Sequence, residues 1–94
     1  MKRCIKINVH GKVQGVSYRE FVQKKAFKLN IEGTIQNLED KKSVLILACG
    51  LSVNLEKFID YLYEGSPKSD VEDVQEEPLF HEKNFRGVFR IIGE

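Results

Sequence analysis

The sequence predicts an α+β fold, a mostly antiparallel sheet with two helices packed on one face. Three observations point there. Residues 3–10 alternate apolar and polar at period two, and from Tyr18 the apolar spacing becomes helical. Strand-like and helix-like stretches then follow in the order β-α-β-β-α-β, with one further strand at the end. That order is the split βαβ, or ferredoxin-like, arrangement. Because such a scaffold carries many activities, it names no function by itself.

In the first strand Ile5, Ile7 and Val9 share one face, and Lys6, Asn8 and His10 share the other, as a sheet with one wet face requires. Tyr18, Phe21, Val22, Ala26 and Leu29 fall on one stripe of the first helix, with Lys24, Lys25 and Lys28 outside it. Gly33, closing "NIEG", is the expected stop. "TIQNLE" and "SVLILACG" form a hairpin around the polar turn "EDKK". Leu55, Phe58, Ile59 and Leu62, at i, i+3, i+4 and i+7, mark the second helix, with Ser52 as its expected N-cap. "YEGSPKSD" breaks it, and "VEDVQEE" and "FRGVFRII" read as the last two strands, separated by "PLFHEKN".

A chain of 94 residues is expected to form one domain, residues 1–94, with one compact core. The formal net charge is +1, so no global field draws it to nucleic acid or an anionic membrane, and any anion site must be local. No apolar run approaches the ~20 residues of a membrane span, and "MKRC" leads into alternation rather than a secretory apolar segment. A cytoplasmic protein is expected. Two cysteines are too few for a disulfide scaffold or a zinc site.

The connector "GKVQGVSYR", residues 11–19, is more elaborate than a strand-to-helix turn needs. Amides at a helix start have no internal partner, and the helix dipole adds partial positive charge there. A glycine-containing loop that turns its own amides inward forms a nest for an anion. Arg19 adds a planar fork of donors suited to phosphate oxygens. The residues therefore suggest a phosphate or carboxylate site, against the blander alternative of a glycine loop with a solvated arginine. The spacing is not that of a nucleotide P-loop, because three residues separate Gly11 from Gly15 and Val16 follows.

"VHGKVQGVSYR" closely resembles the signature of the acylphosphatases: a glycine, then Val-Gln-Gly-Val, then an aromatic–arginine pair. "GTIQN", residues 33–37, resembles their second signature, which ends in an asparagine, and Val44 to Gly50 resembles their later V-x5-G. The resemblance extends over the whole chain, including "FRI" near the C-terminus. Three departures stand out. Thr34 occupies a position that is usually aromatic, and Tyr18 one that is commonly phenylalanine. The hairpin turn is one residue longer, and "DKKSV" lacks the usual glycine.

The resemblance implies hydrolysis of the carboxyl–phosphate bond of acyl phosphates, a small-molecule substrate. The phosphoryl group would sit in the loop of Gln14, Gly15, Val16, Ser17, Tyr18 and Arg19. Arg19 would bind its oxygens, and Asn37 would hold the attacking water. It implies no metal and no cofactor. A chain ending at residue 94 is expected to act alone, as a monomer, although acylphosphatase-like domains also occur within larger carbamoyl-handling maturation proteins. A phosphate- or partner-binding module with little turnover is the rival reading, and Arg19 and Asn37 argue against it.

Other candidates are weaker. His10 and His81 each stand singly in polar surroundings and read as surface histidines. Asp70, Glu72, Asp73, Glu76 and Glu77 read as the charged flank of an edge strand rather than a metal site. In a split βαβ sheet the first and third strands are antiparallel neighbours, which sets Cys4 near Cys49 on the face away from the helices. A cross-strand disulfide is possible there, but a cytoplasmic setting favours free thiols. Leu45 and Leu47 share that open face, as a self-association patch or simply as incomplete coverage. RNA binding is disfavoured, because "RGVFRIIG" lacks the stacking aromatics of an RNA-recognition strand and lies on the last strand.

Overall fold

The computed structural model describes residues 1–80 and 84–93. These form β1 (Lys2–Lys12), α1 (Tyr18–Lys28), β2 (Glu32–Asn37), β3 (Ser43–Leu51), α2 (Ser52–Glu64), β4 (Asp70–Pro78) and β5 (Phe89–Ile92). The strand order is β4-β1-β3-β2-β5, antiparallel throughout except for the parallel β2–β5 pair. This is the ferredoxin-like α+β fold the element order predicts.

Alternation carries the core. Ile5, Ile7 and Val9 of β1, Ile35 of β2, and Val44, Ile46 and Ala48 of β3 are buried under the helices. They meet Tyr18, Val22 and Ala26 of α1 and Leu55, Phe58 and Leu62 of α2. Each fully buried large side chain contributes about 1.5–3 kcal/mol relative to exposure. Phe58 of α2 meets Phe89 of β5 edge-on, with ring centroids 6.0 Å apart, fastening the short last strand to the core. β4 lies at an edge, and its acidic side chains leave it exposed and charged, as expected.

Three boundaries differ from expectation. Asn30, at φ 54°, takes the left-handed position after α1; Gly33 lies inside β2, where a Cβ would run into the Leu47 carbonyl. Leu51, not Ser52, is the N-cap of α2, since both the amide and the hydroxyl of Ser52 donate to the Met1 carbonyl, at 3.0 and 3.2 Å. β5 begins only at Phe89, because Arg86 and Gly87 at φ 59° and 72° turn the chain and Val88 N–H closes on Phe85 O.

The expectation of free thiols is also corrected. Cys4 and Cys49 face each other directly across β1 and β3, with Cα atoms 4.0 Å apart, and are joined in a disulfide. Antiparallel pairing brings directly opposed residues within bridging reach, which alternation on one strand cannot show. The bridge is buried on the face away from the helices. Beside it, Glu32 accepts hydrogen bonds from Lys2 Nζ at 2.6 Å and from the amides of Phe85 and Gly87 at 2.8 and 3.2 Å. That carboxylate moors the end of the β4–β5 connection to β2.

Candidate active site

Two glycines shape the connector after β1. Gly11 sits at a bulge in the β1–β4 pairing at φ 139°, and a Cβ there would strike the Asp70 carbonyl. Its small size serves the sheet, not an anion. Gly15, at φ 72° with open space around it, is needed for its conformation. Ser17 follows at φ 59° and ψ 26°, so two left-handed residues flank Val16 just before α1. Among the described residues, none of the amides from Gly15 to Arg19 finds an acceptor. Such a run of amides at a helix start is what an anion nest consists of.

The loop is held from behind. Val16 O accepts from Ser66 Oγ at 2.9 Å. Tyr18 is fully buried, and its hydroxyl donates to Leu62 O in the last turn of α2 at 2.9 Å, a carbonyl that has no partner further along the helix. The hydroxyl gives Tyr18 an anchor that phenylalanine lacks, and burial pushes its pKa up. Gln14 Nε2 donates to Leu38 O and Ser43 O, both at 2.9 Å.

In front lies a cleft of about 240 Å³, lined by Val13, Gly15, Ser17, Tyr18, Arg19, Glu20 and Asn37. Arg19 projects from the first turn of α1, half-buried, and Nη1 donates to Ile92 O at the end of β5, a long contact of 3.4 Å. Asn37 is the last residue of β2, opposite Val44 of β3. Pairing on both sides holds β2 through Gln36, so the position of Asn37 does not hinge on an aromatic at Thr34. The structure thus brings Arg19, Asn37, Gly15, Ser17 and Tyr18 to one cleft, while the side chains of Gln14 and Val16 turn elsewhere.

The sequence reading missed Glu20, which adds a carboxylate to the rim; its only signal was adjacency to Arg19. His10 is exposed and its Nδ1 meets Ser43 Oγ at 3.0 Å, with Ser43 in turn donating to Asp40 Oδ2 at 2.7 Å. The Ser43 hydroxyl, followed by the Lys42 amide, holds the Asp40 carboxyl below its ordinary range. This trio braces the β2–β3 turn outside the cleft. His81 lies outside the described residues.

The acylphosphatase family model matches residues 5–91. The chain belongs to the acylphosphatase family. An acylphosphatase of Lacticaseibacillus paracasei is 40% identical over 94 residues, covering 99% of each chain. The crystal structure of the acylphosphatase from Bacillus subtilis superposes with a TM-score of 0.91 at 34% identity, covering 99% of this chain and 100% of that one. T. kodakarensis HypF matches with a TM-score of 0.82 at 28% identity, over 100% of this chain but 12% of that one. Like its relatives, this acylphosphatase is an enzyme, a hydrolase of acyl phosphates, and no described helix is long and apolar enough to cross a membrane.

Proposed function

We propose that the chain, as a monomeric single domain, hydrolyses acyl phosphates by metal-independent, in-line attack of a water held by Asn37. The phosphoryl group is held by Arg19 and the backbone of residues 14–19. The observation that carries this reading is the run of amides from Gly15 to Arg19 bordering the cleft that Arg19 and Asn37 share. Phosphoryl transfer asks a protein mostly for positioning and for neutralising the equatorial oxygens, and amides plus a guanidinium supply both. The water oxygen bonds to phosphorus as the bond from phosphorus to the acyl oxygen breaks. The carboxylate leaves with the electron pair, and the water's proton passes to solvent. A carboxylate of pKa about 4 leaves without a general acid at neutral pH.

Asn37 suits the water-holding role because a carboxamide accepts at one end and donates at the other. Its Oδ1 is buried, and a half-turn of the amide exchanges the two ends. The near-neutral net charge of +1 supports a small-molecule substrate over nucleic acid or membrane. The test is hydrolysis of acetyl phosphate with excess chelator by the wild type, Arg19→Ala and Asn37→Ala. Turnover in the wild type that is lost in both variants supports the reading. Near-wild-type turnover in either variant removes that residue from the mechanism, and a folded but inactive wild type points instead to a phosphate- or partner-binding module.

A further inference from the structure

Gln14 lies within the loop, yet its side chain is not part of the cleft. Both protons of its Nε2 are committed, one to Leu38 O and one to Ser43 O, each at 2.9 Å. The two carbonyls form the neck of the β2–β3 hairpin. Leu38 N–H donates to Ser43 O at 3.0 Å, and Lys41 N–H donates to Leu38 O at 3.2 Å. Each carbonyl therefore spends its second lone pair on Gln14. Leu38 directly follows Asn37, and the tie spans 24 residues of sequence.

We propose that Gln14 is a positioning residue of the reaction: its carboxamide fixes the phosphate loop against the hairpin neck, and so sets the separation between bound phosphoryl group and the Asn37 water. The inference rests on the reading above. The tie uses a side chain long enough to reach the neck and carrying two donors on one nitrogen. Glutamate would set a carboxylate against two carbonyls, and asparagine falls short by a methylene. The backbone knot at Gly11 N–H to Lys42 O, 2.8 Å, holds the end of β1 to the same turn, so losing the tie loosens the hairpin neck without freeing the whole loop.

The test compares wild type, Gln14→Met, Asn37→Ala and the double variant, by kcat on acetyl phosphate and by inhibition with inorganic phosphate. Gln14→Met keeps the side-chain length and removes both donors. It should lower kcat about 10–100-fold, the cost of a supporting contact or a misplacement near 1 Å. Phosphate inhibition should stay within a few-fold of wild type, and in the Asn37→Ala background Gln14→Met should cost little more. A general loss of structure would instead weaken phosphate binding in parallel and persist in the double variant, and either result overturns the proposal. Should Gln14→Met be unfolded at the assay temperature by circular dichroism, Gln14→Asn carries the same comparison, and wild-type kcat there overturns it. A silent Gln14→Met beside an inactive Asn37→Ala refutes the positioning role alone, whereas an active Asn37→Ala refutes the underlying reading.

Discussion

Arg19 and Asn37 line one cleft from different elements, Arg19 from the first turn of α1 and Asn37 from the last residue of β2. The helix delivers a fixed charge beside the loop amides, and the strand delivers a neutral amide across from it. In the proposed mechanism that division gives Arg19 the electrostatic stabilisation and Asn37 the orientation of the nucleophile.

That division makes Arg19 sensitive to shape as well as charge. Arg19→Ala should lower kcat/KM for acetyl phosphate by about 10²–10³, the scale of losing one preorganised donor. Arg19→Lys should recover little of it, since an ammonium keeps the charge but not the planar fork. Inhibition by inorganic phosphate should weaken in both. Full rescue by lysine would show that charge alone suffices.

Lys41 holds a left-handed conformation at φ 62° in the hairpin turn, a region of backbone space that favours glycine. Relief of about 1–2 kcal/mol of left-handed strain outweighs the roughly 0.5–1 kcal/mol that glycine costs in chain entropy. Lys41→Gly should therefore raise the thermal midpoint by a few degrees with kcat unchanged. A lower midpoint in a thermal melt would contradict this.

Glu32 has its carboxyl held below its ordinary value of 4.5, chiefly by the Lys2 ammonium and then by the amides of Gly87 and Phe85. Its unfolded-state pKa is the higher of the two, so the unfolded chain binds the extra proton first. The stabilisation is fully present above about pH 4.5 and is lost as pH falls through the folded-state value. Glu32→Gln should unfold in less urea than wild type at neutral pH, and the gap should narrow in acid. A gap independent of pH would mean the carboxylate's charge is not what moors Phe85 and Gly87.

The Cys4–Cys49 bridge closes a loop with a sequence separation of 45. Reduction should lower the unfolding free energy by about 2–4 kcal/mol, most of it through the unfolded chain. Urea unfolding with and without reductant measures it. Because the bridge ties β1 to β3 away from the cleft, kcat below the reduced form's midpoint should not change.

Much of this was legible in the sequence where one residue type has one physical use. Period-two spacing marked β1, helical spacing marked α1 and α2, and strand-like runs between turn residues marked the other strands; "VQGVSYR" and "GTIQN" hold residues that the fold brings to one cleft. What the sequence hid are ties between distant segments. Gln14 reaching Leu38 and Ser43, Ser66 reaching Val16, and Glu32 reaching Lys2, Phe85 and Gly87 leave no periodic trace. Alternation placed Cys4 and Cys49 on one face, but only the β1–β3 register shows them directly opposed. Gly11 looked like part of the anion loop because its sheet contact, Asp70, lies 59 positions further along.

The most direct test of the central claim is where the water oxygen goes. Hydrolysis of acetyl phosphate by the wild-type enzyme in ¹⁸O-labelled water should place the label in inorganic phosphate if, as proposed, water attacks phosphorus held between the loop and Arg19. Label in acetate would mean attack at the carbonyl carbon, and would contradict both the phosphoryl cradle and the role given to Asn37.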